Sequence, residues 1–497
     1  MIVDPDFPIR KVLIANRGEI ACRVIRSLRA MGLGSVAVHH AAEAGALHVR
    51  MADQAVELFG DTPVAAHLDA AQIIAAATTT GADAIHPGYG FLSENADFAR
   101  AVADAGLIFI GPSADSIGLM GDKISSREFA QAHGVPVAPS VMPTDDLDEF
   151  ARQAAQIGFP LLIKASAGGG GKGMSIVRDA DGLIPAARLA ASEAQRYFND
   201  GRIYAELYVE RPRHIEVQIL GDGENGAIHL HERECSIQRR FQKIVEEAPS
   251  AALPPELAAE ICAAAVRLAQ AASYRNAGTV EFILAPDGRF YFLEMNTRLQ
   301  VEHPVTEMIS GLDLVAAQVN IAAGRGLPIR QDQLRRDGHA IECRICAEDP
   351  ERDFMPETGR IRLLRVPQAP WLRFESGLTE GEAVTSDFDP MLAKLVVHGT
   401  SRQQAIERTL EALRGLTLLG VTTNIDYLAR VIDSQAFRAG DLHTGFVAQH
   451  AQALAPAPMT DDALAPVLVA AALGFREFRQ AVFDVPELHA AIGSWRN

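Results

Sequence analysis

Residues 11–32, KVLIANRGEIACRVIRSLRAMG, decide the fold class. A short apolar run at 11–15 reaches the turn Asn16-Arg17-Gly18-Glu19 and passes into an amphipathic stretch that closes on glycine. Buried strand, glycine turn and helix make the opening unit of an α/β fold. The pattern recurs downstream. SVAVHH (35–40) reads as a strand, and LDAAQIIAAATTTG (68–81) as a helix ended by Gly81. ADAIHPGYGFLSEN (82–95) reads as a strand leading into a loop, before a helix at 96–105 and the strand LIFIG (107–111). Such alternation up to about residue 120 predicts a parallel sheet covered by helices.

Beyond it, 497 residues exceed a single hydrophobic core, which stops growing at roughly 250–300 residues. About three packed units are therefore expected. The second begins near Gly121 and holds the strand PLLIKAS (160–166), a glycine run, and an alanine-rich helix around 185–197. It continues with the strand-like stretches IYAELYVE and HIEVQIL, then a helix near 255–273. TVEFIL and RFYFLEMN follow, separated by the turn signal Ala285-Pro286-Asp287-Gly288. The third starts near Gly338 with HAIECRICAE and runs through WLRFESG and MLAKLVVHG to the helix AIERTLEALRG. APAP at 455–458 reads as a linker before one last helix-like segment.

Composition bounds the function. With 46 basic and 63 acidic side chains the net charge is −17, which argues against nucleic acid or a membrane surface as general partners. Five scattered cysteines fit a reducing compartment, and Cys343/Cys346, lacking a second pair, read as structural rather than as half a zinc site. The N-terminus has no signal-peptide pattern and no 18-residue apolar run occurs, so the expectation is a soluble cytoplasmic protein without a membrane span.

The sharpest chemical signal is residues 164–174, KASAGGGGKGM. Four glycines let backbone amides approach an oxyanion, and Lys164 and Lys172 flank them. Neither the P-loop nor the dinucleotide fingerprint is met, so the run reads as another kind of phosphate grip. Glu281, Glu294 and Asn296 supply hard oxygens suited to magnesium. A two-residue Asp287-Gly288 turn would set Glu281 opposite Glu294; a three-residue loop would shift the pairing by one and need a bulge. The sequence leaves both registers open. Arg298 offers a planar fork for a carboxylate or bicarbonate, and Glu302 near it is a candidate general base. Four cations within 233–243 suit an anionic substrate.

IANRGEIACRVIR (14–26), HPGYGFLSEN (86–95), FIGPS (109–113), MGDK (120–123), the glycine run, PRHIEVQ (212–218), RECSIQRRFQK (233–243), EMNTRLQVEHPVTE (294–307) and ECRICAEDP (342–350) together resemble biotin carboxylase over about residues 9–450. The resemblance implies an α/β architecture in parts: a Rossmann-like N-terminal domain (1–120), an ATP-grasp domain (121–335) with a mobile lid over about 136–210, and a mixed α+β C-terminal domain (336–450). A linker and the start of a following region (451–497) resemble the α subunits of acyl-CoA carboxylases. It also implies a ligase reaction in which ATP phosphorylates bicarbonate to carboxyphosphate, whose breakdown carboxylates biotin on a carrier protein.

By the same resemblance, Lys123, Lys164, Gly170 and Gly171 hold ATP phosphates, while Glu206, Val209 and His214 line the nucleotide site. Glu281, Glu294 and Asn296 bind two Mg2+ (or Mn2+) ions. Lys243, Arg298, Gln300 and Val301 bind bicarbonate, Glu302 deprotonates it, and Arg344 stabilises the enolate of biotin. Phe241, Leu207, Ala167 and Cys346 depart from the family's usual histidine, lysine, glycine and asparagine. No A-M-K-M biotinylation motif occurs in the chain. Biotin is thus expected either on another chain, a biotin carboxyl carrier protein, or on a carrier domain that this sequence is cut short of, with a carboxyltransferase subunit and a homodimer or larger assembly as further partners. Two other readings stand beside this one: a different ATP-grasp carboxylate–amine ligase, opposed by Arg298, Glu302 and Arg344, and a nucleotide-binding regulatory subunit, opposed by the full acid, base and metal set.

Overall fold

The computed structural model describes residues 6–141, 146–165, 175–198, 201–224, 226–457 and 460–482. The glycine run, with Gly170 and Gly171, lies outside the described residues. β1 (Lys11–Ile14) leads through Gly18 into the helix Gly18–Met31, which Gly32 closes at φ 74°. β2 (Gly34–His40), β3 (Gln54–Leu58), β4 (Ala84–His86) and β5 (Ile108–Phe109) complete a parallel sheet of order β3-β2-β1-β4-β5. The expected α/β alternation is present. The strand that sequence reading passed over, β3, is a largely exposed edge and carries little apolar alternation.

A smaller antiparallel sheet follows. It orders β6 (Ser140–Val141), β7 (Leu161–Ala165), β8 (Ser175–Val177) and β9 (Ile203–Leu207) as β6-β9-β7-β8. Phe150, Leu161, Ile163, Ala187 and Ala205 give it a core of its own with the helices Leu147–Ile157 and Leu183–Phe198. Lys164 and Glu206 alternate with these core residues and lie on the opposite face.

The largest sheet has eight antiparallel strands. They are β10 (Arg213–Asp222), β11 (Ala227–Arg239), β12 (Gln242–Ala248), β13 (Arg275–Leu284), β14 (Phe290–Asn296), β15 (His339–Cys346), β16 (Leu372–Ser376) and β17 (Met391–Gly399). Their order is β14-β13-β10-β11-β12-β15-β17-β16, so pairing of β12 with β15 carries the sheet across residue 335 without a break. One face of β10 and β13 is apolar: Ile215, Val217, Val280 and Phe282 pack on Ile261 and Leu268 of the helix Pro255–Ala271. The other face carries His214, Glu216, Gln218, Thr279 and Glu281, all buried. A sheet with one apolar and one polar buried face must satisfy the polar one internally, and that requirement builds the site.

Residues 1–454 form one unit and 455–497 another, whose described part holds the helix Asp461–Val482. All five cysteines are free and buried, and burial pushes the Cys343 and Cys346 thiols well up. Neither joins a metal-ligand cluster among the described residues. No helix among the described residues is long and apolar enough to cross a membrane.

Candidate active site

The polar face converges on Lys243. Its ammonium donates to Glu216 Oε2 at 2.6 Å, Glu281 Oε1 at 2.8 Å and Glu302 Oε1 at 2.7 Å, using all three protons. Burial alone would weaken its hold on the proton, but Glu216, Glu281 and Glu302 raise its pKa well above the usual lysine value. Glu302 accepts from Lys243 on one oxygen and from Arg344 Nη2 on the other, at 2.9 Å. Burial would lift its pKa, yet Lys243, Arg344 and Arg233 hold it well below the carboxylate range. Arg344 Nε donates to Glu246 Oε1 at 2.6 Å.

Beneath lies Arg233, fully buried. It donates to Glu216, Gln218, Thr279, Gln300 and Thr306, at 2.5 to 3.2 Å. The cation cluster of 233–243 is therefore divided. Arg233 and Lys243 turn inward, while Arg239 and Arg240 pair with Glu348 and Asp353.

Glu281 and Glu294 stand opposite each other, and a bulge between Glu281 and Phe282 makes them do so. Phe282 pairs with Phe292 and Glu281 with Glu294, so Leu293 is the extra residue. Of the two registers left open by the sequence, the three-residue loop with its bulge is the one formed. Glu281 is saturated: it accepts from Lys243, Asn296 Nδ2 at 2.9 Å and Gln300 Nε2 at 2.6 Å, and lies 2.7 Å from His214 Nε2. Burial would raise its pKa; Lys243 and His214 hold it far below. Gln238 Nε2 donates to His214 Nδ1 at 2.9 Å, which leaves Nε2 as the protonated ring nitrogen, near Glu281 but outside hydrogen-bonding geometry. Glu294 is the contrast. It is half-buried, makes no hydrogen bond or ion pair among the described residues, and its pKa is raised by burial and by the Glu281 charge. Two facing carboxylates, one of them without a partner, together with Asn296, are a donor set that a hard divalent cation fits. Two other buried trios among the described residues, His214–Glu216–Glu281 and Glu216–Cys235–Glu302, also bring ligand atoms within 4.8 Å of one another, but the Lys243 ammonium already bridges the carboxylates of both.

The segment 297–302 is clamped from three sides. Glu94 accepts from the Thr297 N–H and from Arg298 Nε, both at 3.0 Å. Lys394 donates to the Val301 carbonyl at 2.8 Å and pairs with Glu19 at 3.1 Å. Gln300 spends its side chain on Glu281 and Arg233. The backbone N–H groups of Gln300 and Val301 donate to nothing among the described residues. Arg298 Nη2 reaches Asn296 Oδ1 at 2.9 Å. Glu94 is delivered by the loop after β4, where Asn16 Nδ2 donates to the Pro87 and Tyr89 carbonyls at 2.8 and 2.7 Å. Gly88 sits there at φ 64°, and a Cβ would lie 2.7 Å from Asn16 Nδ2, so this turn demands glycine.

Three expected nucleotide residues lie on the smaller sheet and at its exit. Lys164 pairs with Glu206, which also accepts from Arg127 at 3.3 Å, and half-buried Val209 follows β9. Lys123 opens the helix Lys123–Ala132, close enough to Glu294 for its charge to lower that carboxyl's pKa. Sequence reading assigned no part to Glu94, Glu216, Glu246 or Lys394. Only Glu216 carried a signal, because His214, Glu216 and Gln218 alternate with Ile215 and Val217 along a strand.

Residues 8–117, 122–330 and 342–449 match, in order, the families described as biotin carboxylase N-terminal domain, carbamoyl-phosphate synthase L chain ATP-binding domain and biotin carboxylase C-terminal domain. The chain is 47% identical over 438 residues to the biotin carboxylase of Nostoc sp., covering 88% of this chain and 98% of that one. The chain belongs to the biotin carboxylase family. It is also 47% identical over 458 residues to the mitochondrial methylcrotonoyl-CoA carboxylase subunit alpha of Rattus norvegicus, covering 92% of this chain but only 64% of that subunit's length. Among solved structures, the biotin carboxylase domain dimer of Hydrogenobacter thermophilus 2-oxoglutarate carboxylase, in complex with MgADP, ADP and bicarbonate, superposes with TM-score 0.86 at 44% identity. It covers 90% of this chain and 99% of that one.

Proposed function

We propose that this chain carboxylates biotin, borne on a biotin carboxyl carrier protein or domain, at the expense of ATP and bicarbonate through carboxyphosphate. It is an ADP-forming ligase, and this is the first half-reaction of a biotin-dependent acyl-CoA carboxylase. The observation that carries the reading is Glu302 suspended between Lys243 and Arg344, beside Arg298 and the Glu281–Glu294 pair.

Bicarbonate fits where Arg298, Lys243 and the two unengaged N–H groups of Gln300 and Val301 meet. Its hydroxyl then faces Glu302. In the free protein Lys243 and Arg344 keep Glu302 a weak base. An incoming anion that takes over either cation loosens that hold and raises the basicity of Glu302 as a proton is to be removed. Lys123 and Lys164 hold the ATP phosphates together with the glycine run, and Glu206, Val209 and His214 border the nucleotide. Glu281, Glu294 and Asn296 would hold Mg2+, two ions by family likeness, which neutralises phosphate charge during transfer. Arg344 steadies the enolate of biotin as its ureido nitrogen attacks. A carboxyltransferase subunit takes the product onward, the protein works as a homodimer or larger assembly, and the cytoplasm is its place.

ADP release, measured with bicarbonate and free biotin each present or omitted, tests this. Bicarbonate-dependent turnover stimulated by biotin is expected. Turnover indifferent to bicarbonate would overturn the reading.

A further inference from the structure

Glu342 lies mid-strand in β15, and Glu246 stands directly across from it in β12. Both are fully buried. Neither oxygen of Glu342 meets a hydrogen-bond partner among the described residues, nor does Oε2 of Glu246. The charged and titratable groups facing them are already committed. Arg344 donates to Glu246 Oε1 and Glu302 Oε2. Lys394 donates to the Val301 carbonyl and pairs with Glu19, and it makes no hydrogen bond to Glu342. Glu302 accepts from Lys243 and Arg344. His303 turns Nδ1 to the Gln300 carbonyl at 2.7 Å, and burial keeps it neutral.

Two bare carboxylates side by side in the interior would repel one another and forfeit their hydration without return. One proton resolves both deficits. Cross-strand neighbours have Cβ atoms about 4.5–5.5 Å apart, within reach for two carboxyl groups to share it. Burial also holds the Glu342 carboxyl well above the ordinary range, against the opposing pull of Lys394 and Arg344.

We infer that Glu342 is kept as the neutral acid and donates its proton to Glu246 Oε2, so that the two act as one singly charged partner that positions Arg344. The guanidinium then faces one negative charge at Nε, from Glu246, and one at Nη2, from Glu302. A doubly charged pair would draw it away from Glu302 and from the biotin position. This role in biotin carboxylation rests on the function proposed above; the shared proton does not.

Infrared difference spectra between wild type and variants at neutral pH read the proton directly. A carbonyl stretch of a protonated carboxyl should be present in wild type, lost in Glu342→Gln and displaced in Glu246→Gln. Its absence from wild type would overturn the inference. Kinetics read the positioning. Glu342→Leu should raise KM for free biotin about tenfold, the worth of one charge-assisted bond, and leave KM for ATP within about twofold. Glu342→Gln, neutral and still a donor, should restore most of that loss. If Gln were no better than Leu, an ionised Glu342 would be the working form and the inference would fall. Should the Leu variant not fold, the infrared pair and the Gln kinetics decide alone. A wild type that keeps the infrared band but carboxylates no biotin supports the shared proton and overturns the functional reading instead.

Discussion

At the scale of single residues, the site is a set of buried charges that define one another's protonation. Glu302 is ionised because Lys243 and Arg344 face it, and the stability of those pairs follows the same sign. A carboxyl whose pKa is depressed by folding contributes stability above its unfolded value, and loses it as pH falls through the folded one. The Glu302 contribution is therefore present at neutral pH and persists below the ordinary carboxylate range. Glu302→Gln keeps the shape and removes the base. It should lower bicarbonate-dependent ADP release by about 10²–10⁴-fold, with the affinity for ATP little changed in titration calorimetry. Normal turnover in that variant would remove Glu302 from the role of base. Glu302 was legible because it follows Arg298 in a compact motif. Glu94, Glu246 and Lys394 were not, because each enters from a distant stretch of chain whose own sequence carries no chemistry.

At the scale of elements, two local irregularities make the site. Phe290, Phe292, Glu294 and Asn296 would share one face of a regular strand. The bulge at Leu293 turns the phenylalanines to the core and the polar pair to Glu281. The β11–β12 hairpin turns on Arg240 and Phe241, both at positive φ, 48° and 68°. A two-residue turn of that kind favours Asn-Gly, so this hairpin gave no recognisable signal and its strands read only as a run of cations. Phe241, where the family commonly has histidine, is 64% exposed at its tip. Arg233 then ties β10, β11 and β13 to the 300–306 segment through five donors. Arg233→Ala strips Glu216 Oε1 of its cation, leaves it only Lys243 on Oε2, and should cost about 3–5 kcal/mol in urea denaturation. A loss below about 1 kcal/mol would mean that the strands hold their register without it.

At the scale of the molecule, a half-open carboxylate beside a saturated one anticipates a cation, and binding should appear as global stability. ATP with magnesium at about a hundred times its Kd should stabilise the fold by about 2.7 kcal/mol. ATP with a chelator should give less, and Glu294→Gln should erase the magnesium-dependent part, as read by thermal or urea unfolding. If magnesium adds nothing in wild type, Glu294 is not a metal ligand. The strand-turn-helix at residues 11–32 announced the parallel sheet by itself, because apolar period and glycine placement are local properties. The motif from Glu294 to Glu302 likewise points to a metal, an anion and a base by itself, because one short stretch holds residues suited to all three. Tertiary structure alone decided the register that faces Glu281 with Glu294, the inward turn of Arg233 and Lys243, and the joining of β12 to β15 that sets Glu246 against Glu342. The reason is physical. A buried polar face can be satisfied only by partners far away in the chain, and no local pattern specifies which of them will arrive.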